Sequence, residues 1–208
     1  MTAINTLTLP IEMPPIDSSP LLLNVSHTRL TVTSEQFDGL CIDNPDLRLE
    51  LTANGELIIM PPTGGESGER NLDLAGQVWY WNRQKSLGQG FDSSSGYDFT
   101  AIGGGKISPD VSWIEKSRLE GISIVGFIPV VPDFVIELRS ATDNLKLLQN
   151  KMQEYQRLGV KLGLLINPRN KQIEMYRSGQ ETEILELPDA IDCSEVMPGF
   201  VLSMSRIW

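Results

Sequence analysis

Asp133-Phe134-Val135-Ile136-Glu137-Leu138, then Leu145 to Tyr155, then Leu162-Gly163-Leu164-Leu165-Ile166: these three stretches decide the fold. The first is apolar on both sides except at Glu137, the pattern of a central strand buried on both faces. In the second, Leu145, Leu148, Met152 and Tyr155 recur at helical spacing. Thr142 or Asp143 stands where an N-cap is needed, and Gly159 lies just past the end as a stop signal. The third stretch is another short buried strand. Strand, helix and strand at this spacing make a βαβ unit, whose two strands should be parallel with a right-handed crossover. After a turn at Asn167 to Asn170, Gln172 to Tyr176 is the hairpin partner of the second strand.

Working back from this unit, Lys106 to Ile114 reads as one strand with Pro109 near its start, where a sheet edge or strand beginning tolerates proline. Gly96 to Ala101 reads as another strand, with Gly103-Gly104-Gly105 as a hairpin tip. No G-x-x-x-x-G-K-S/T pattern accompanies the triple glycine, so a phosphate cradle is not indicated. Glu115 to Pro132 is a variable connection. A helix is predicted from Glu66–Asn71 to about Leu87, with Leu72, Ala75, Val78 and Trp79 as its core face and Gly88-Gln89-Gly90 ending it. Trp79 and Trp81 are read as packing residues rather than a base-stacking platform. Leu47, Leu49 and Leu51 alternate with Arg48, Glu50 and Thr52; Asn54-Gly55 supplies a tight turn and Leu57 to Met60 returns, a strong hairpin signal. Thr33 and Gln36 have capping-box spacing before a short helix through Phe37 and Leu40 that ends near Asn44-Pro45.

The expected architecture is α/β: a central mixed sheet flanked by helices, with an N-terminal helix and hairpin added. Residues 1–25, broken by Pro10, Pro14, Pro15 and Pro20, are expected to be poorly ordered, and 26–208 to form a single domain.

Composition narrows the chemistry. The only histidine, His27, sits in a polar N-terminal stretch, and no G-x-S-x-G elbow is present, which argues against a Ser-His-Asp hydrolase. Cys41 and Cys193 are far apart and in no metal-ligand pattern, which reads as two reduced thiols. No apolar run approaches the ~20 residues that span a bilayer, and the N-terminus lacks the marks of a signal peptide; a cytoplasmic protein without membrane contact is expected. A formal net charge of −10 opposes broad nucleic-acid binding but leaves room for a local basic groove. Catalysis, if present, must use carboxylates, lysine and a metal.

Glu137 is the most informative residue. A carboxylate inside an apolar strand is costly unless it is paired or binds a cation. It either pairs with Arg139 or a helix lysine, or it ligates a metal. Asp110, after Pro109, is a second candidate. Carboxylates from neighbouring strands suit a hard divalent cation, Mg²⁺ or Mn²⁺.

Ser108-Pro109-Asp110-Val111, followed by Pro132-Asp133-Phe134-Val135-Ile136-Glu137-Leu138-Arg139-Ser140, resembles the signature of the Uma2 family of restriction endonuclease-like proteins. Lys151 to Tyr155, Gly159-Val160, Ile166-Asn167-Pro168, Asn54-Gly55-Glu56-Leu57 and Met60-Pro61-Pro62 resemble the rest of that pattern, and the match runs from about Ser34 to the C-terminus. The family is similar to the PD-(D/E)XK nuclease superfamily. The resemblance implies a restriction endonuclease-like core and a divalent metal, Mg²⁺ or Mn²⁺, held by Asp110, Glu137 and the Leu138 carbonyl. Arg139 occupies the superfamily's usual lysine position and, always protonated, can stabilise phosphate charge but cannot act as a base. The lysine role moves to Lys151, with Lys146 as competitor. The superfamily's first-helix acid is assigned to Glu66, with Glu69 as fallback. Family members often carry a histidine near this helix start; none is present, and Asn71 does not replace its chemistry. The implied activity is metal-dependent hydrolysis of DNA phosphodiesters by a chain that can form homodimers. The alternative is a catalytically inactive nuclease fold serving as a binding or assembly module.

Overall fold

A computed structural model describes residues 29–208; the segment 1–25 and His27 lie outside them. In chain order the elements are α1 (Ser34–Asp43), β1 (Arg48–Leu51), β2 (Leu57–Met60), α2 (Gly65–Lys85), β3 (Gly88–Asp92), β4 (Tyr97–Asp98), β5 (Lys106–Ile107), β6 (Val111–Glu115), β7 (Phe134–Leu138), α3 (Leu145–Leu158), β8 (Leu162–Asn167), β9 (Gln172–Arg177), β10 (Glu183–Glu186), β11 (Ala190–Asp192) and β12 (Val201–Ser203). Short 3₁₀ turns at Thr100–Ile102 and Lys116–Leu119 join them.

The β7–α3–β8 unit forms as its sequence dictates. All five residues of β7 and all six of β8 are buried, and the two strands pair in parallel from Phe134↔Leu162 to Leu138↔Ile166. They are the centre of a six-stranded mixed sheet of order β10-β9-β8-β7-β6-β3, in which every other pair is antiparallel. The period of two then sorts the side chains of β7. Phe134, Ile136 and Leu138 enter one core with Leu74, Val78 and Trp81 of α2 and with C-terminal residues such as Phe200 and Leu202. Val135 enters the other, with Met152 and Tyr155 of α3. Glu137, two positions after Val135, therefore faces α3. Burying each large apolar side chain contributes about 1.5–3 kcal/mol, which offsets the cost of an acid in the same strand.

A four-stranded sheet, β2-β1-β5-β4, stands beside this core. Its hairpin pairs Arg48↔Met60 to Leu51↔Leu57 around Asn54-Gly55, and α1 starts with a reciprocal capping box between Thr33 and Gln36. β11 and β12 form a separate two-stranded ribbon.

The structure corrects five local expectations. Lys106 to Ile114 is two strands in two sheets: the chain leaves β5 at Ser108-Pro109 and enters the large sheet at Val111, so Asp110 lies in the break. Proline supplies no N–H for a ladder, which suits a crossing point. The core face of α2 is Leu74, Val78 and Trp81, whereas Leu72 (74% exposed) and Trp79 (59% exposed) face outward, with the Arg83 guanidinium over the Trp79 ring. The helix ends at Ser86 in the left-handed region, stabilised by its N–H to Asn82 O. Gly88 to Gly90 belong to β3; a Cβ on Gly88 would sit 2.1 Å from Ile114 O and 2.6 Å from the Trp113 ring. Finally, α3 is capped by Asn144, whose side chain accepts from Lys146 N–H, while the Asp143 carboxylate accepts from Ser140 N–H.

Candidate active site

The antiparallel register of β6 and β7 runs Trp113↔Phe134, Ser112↔Val135, Val111↔Ile136. Continued by one step, it brings Asp110 level with Glu137. Asp110 is fixed there by its Oδ2, which accepts the Leu138 N–H at 2.8 Å. Across the other face, α3 runs over the sheet with Met152 and Tyr155 buried. Lys151 and Tyr155, one helical turn apart, share the side that meets Glu137.

Lys151 is the hub. Its Nζ is 2.9 Å from Glu137 Oε1, 2.9 Å from Glu50 Oε1 and 2.9 Å from the Ser108 carbonyl. An ammonium has three donors, and all three are engaged. Tyr155 Oη donates to the same Glu137 Oε1 at 3.2 Å. Both hydrogen-bonding contacts to Glu137 fall on Oε1, and among the described residues no donor reaches Oε2.

Burial controls the protonation of this cluster. The Glu137 carboxyl is pushed up to about 8 by desolvation, against the opposing pull of Lys151 and with reinforcement from the Asp110 and Glu50 charges. Desolvation likewise raises Asp110, although the Leu138 N–H and Lys151 favour its ionised form. Lys151 moves up despite its burial, because Glu137 and Glu50 hold its proton. It is therefore an ammonium at any ordinary pH, suited to stabilising negative charge and unsuited to removing a proton.

Glu50 is the member that sequence reasoning missed. Its alternation with Leu49 and Leu51 correctly puts it on the opposite face of β1, but that face is not solvent. Glu50 is 4% exposed, and its Oε1 accepts from both Lys151 Nζ and the Ser108 N–H at 2.9 Å. An acid alternating with core leucines is also the pattern of a strand with one solvated face, so its sequence carries no signal of this burial. Asn71, on α2, is the first-helix residue that reaches Asp110: its Nδ2 lies 3.4 Å from Asp110 Oδ1, and its own Oδ1 is buried with no hydrogen-bond partner.

Other expected residues stand apart. Glu66 is largely exposed and pairs with Arg70 at 2.9 Å, one turn along its own helix; Glu69 is exposed. Arg139 turns to the Asp143 carbonyl (3.4 Å) and Asn167 Oδ1 (3.4 Å), because the backbone beyond β7 bends into the loop before α3. Lys146 is exposed at the start of α3. Leu138 meets the cluster through its N–H, which Asp110 accepts. Asp133, the other acid beside β7, is fully buried in a separate set with Arg118 (2.7 Å) and Lys161 (2.8 Å), at the opposite end of the strand from Glu137.

The donors around Asp110 and Glu137 are oxygens, the chemistry of a hard divalent cation rather than of zinc. Among the described residues no three His, Cys, Asp or Glu side chains are arranged to hold an ion. A cation here would need a further oxygen from another class of group, and Asn71, whose Nδ2 is 3.4 Å from Asp110 Oδ1 and whose Oδ1 is buried and unpartnered, is the neighbouring side chain that carries one.

The fold is similar to that of a solved protein from Anabaena variabilis ATCC 29413, described as a "putative nuclease belonging to DUF820". The TM-score is 0.67 at 21% identity, and the match covers 76% of this chain and 88% of that one. No curated protein matches the chain. Among the described residues no helix is long and apolar enough to cross a membrane. The family model Uma2, described as "Putative restriction endonuclease", matches residues 34–205, so this chain belongs to the Uma2 family.

Proposed function

We propose that this chain hydrolyses phosphodiester bonds of DNA at a site formed by Asp110, Glu137 and Lys151, with Mg²⁺ or Mn²⁺ as cofactor. The carrying observation is the Lys151 ammonium 2.9 Å from Glu137 Oε1, in a cluster that Asp110 adjoins through Leu138 N–H. Asp110, Glu137 and the Leu138 carbonyl would hold the ion. When bound, such an ion lowers the pKa of a water and polarises phosphate oxygens. The side chains supply the rest. Lys151, whose three N–H donors are held by Glu137, Glu50 and the Ser108 carbonyl, stabilises the charge that develops on phosphate through its fixed positive charge, a role open to it because it stays cationic. Tyr155 keeps Glu137 oriented through Oε1 and leaves Oε2 free to face a ligand. Arg139, at the margin, would meet the nucleic-acid backbone rather than the reacting atoms.

The test is Mg²⁺- or Mn²⁺-dependent cleavage of plasmid and single-stranded DNA by wild type and by Glu137→Ala, with the fold of both checked by circular dichroism. Cleavage by wild type alone is expected. Equal activity in both would overturn the assignment.

The formal charge of −10 favours a second reading: a nuclease fold kept as a binding or assembly module. That reading requires the folded wild type to leave DNA intact and to bind no Mn²⁺ in calorimetry.

A further inference from the structure

We infer that Asn71 of α2 is the neutral oxygen ligand that completes the cation site of Asp110 and Glu137; the inference rests on the metal-site reading above.

Three observations carry it. Asn71 Oδ1 is buried and has no hydrogen-bond partner, an arrangement rarely left in a native protein without a ligand or a bound water. Its Nδ2 is 3.4 Å from Asp110 Oδ1, so the amide lies against the carboxylate without satisfying it well. Without an ion the amide sets Nδ2 toward Asp110; turned over about Cβ–Cγ, it presents Oδ1 to a cation beside the same carboxylate, where the positive charge replaces the unfavourable oxygen–carboxylate contact. Third, the helix acid Glu66 is committed to Arg70 on the surface and leaves this position to Asn71.

Charge explains why a carboxamide suits the place. Two buried acids, Glu50 and Glu137, and the half-buried Asp110 already share one ammonium as their nearest cation. A fourth carboxylate would add repulsion whenever the ion is absent. A carboxamide oxygen is a hard donor of the kind Mg²⁺ and Mn²⁺ accept, and it carries no charge. Asn71 cannot act as a base, so its contribution is to affinity and to the placement of the ion beside Asp110.

The test is Mn²⁺ binding by calorimetry on the full chain, together with the melting temperature in chelator. Wild type is expected to bind Mn²⁺, and Asp110→Asn to lose binding. Asn71→Ala is expected to bind about tenfold more weakly while melting, without metal, at or above the wild-type temperature, because it removes an unsatisfied buried oxygen. Asn71→Asp restores an oxygen at the same place and is expected to bind at least as tightly as wild type. Undiminished affinity in Asn71→Ala, with binding lost in Asp110→Asn, would overturn the inference and leave the metal site standing. A lower metal-free melting temperature with unchanged affinity would assign Asn71 a structural role instead. Wild type that binds no Mn²⁺ would remove the metal site and this inference together. Should Asn71→Ala fail to fold, weakened binding by Asn71→Asp would count against the inference.

Discussion

Glu50 Oε1 on β1 and Lys151 Nζ on α3 lie 2.9 Å apart across 101 residues of chain. The contact ties the small sheet to the βαβ unit. Because the same ammonium reaches Glu137 Oε1, it also joins a residue on a hairpin to the acid in the central strand. Lys151→Met would leave two buried carboxylates facing each other, and breaking a buried pair from one side costs about 3–5 kcal/mol. Glu50→Gln should cost less, since the ammonium keeps Glu137 and the Ser108 carbonyl. Urea denaturation of the two single variants and the double variant should give a coupling of about 1–3 kcal/mol. A coupling near zero would mean that Glu50 does not hold Lys151 in solution.

The pH dependence of stability should carry the mark of Glu137. Burial raises its carboxyl from 4.5 to about 8. Between those values the folded chain binds a proton that the unfolded chain has released, so the native state is favoured by low pH. This contribution is complete below pH 4.5 and is lost as pH rises through about 8. Urea denaturation in chelator at intervals from pH 5 to 9 should therefore show wild type losing stability relative to Glu137→Gln, whose side chain does not titrate. Parallel profiles would show that Lys151 keeps Glu137 ionised throughout.

Asp110→Asn separates charge from hydrogen bonding. The amide oxygen can still accept the Leu138 N–H, so the local fold should survive. Because burial disfavours the Asp110 charge, its removal should leave the metal-free melting temperature unchanged or higher. Asp110→Ala, by contrast, strips the Leu138 N–H of its acceptor, at about 1–3 kcal/mol for a buried group. A matched loss of stability in both variants would assign Asp110 to the fold rather than to a ligand.

Arg139 and Glu66 provide the complementary test. Their partners are Asp143, Asn167 and Arg70, not the acids. Arg139→Ala and Glu66→Ala should leave Mn²⁺ affinity unchanged, and the loss of the Glu66–Arg70 pair, exposed at its Glu66 end, should cost about 0.5 kcal/mol or less. A large loss of metal affinity in either variant would restore that residue to the site.

These residues also show where sequence reasoning reaches. The β7–α3–β8 unit could be read because its signals are local: apolar strands, a helical stripe, a glycine stop. Lys151 came from the resemblance to the Uma2 family; its spacing from Tyr155 adds that both lie on one face of α3. Glu50 could not be read in the same way, because alternation on β1 assigns it to a face without saying what covers that face. Only the approach of β5 and α3 buries it. The α2 error has a similar origin. Leu72, Ala75, Val78 and Trp79 form one apolar stripe, and Leu74, Val78 and Trp81 form another through the same Val78. Periodicity cannot choose between them; Trp113 and Phe200 choose the second by packing against Trp81. The break at Pro109 was masked by a continuous strand-like run, although it is what delivers Asp110 to Glu137.

Gly105 gives the sharpest test of how the small sheet supports the cluster. An added Cβ would sit 2.0 Å from Leu51 O and 2.8 Å from the Thr52 carbonyl carbon, both backbone atoms. Neither can turn aside, so Gly105→Ala must push β5 from β1, where the register holds Leu51 opposite Lys106. Glu50 precedes Leu51, and Ser108 follows β5, so the Ser108 N–H to Glu50 Oε1 bond of 2.9 Å lies directly in the path of that shift. Overpacking of this kind costs about 1–3 kcal/mol. If the loss comes through the Glu50 clamp, Gly105→Ala should cost less in a Glu50→Gln background than in wild type, by urea denaturation at one pH. Equal losses in both backgrounds would show that the two sheets are held together independently of Glu50.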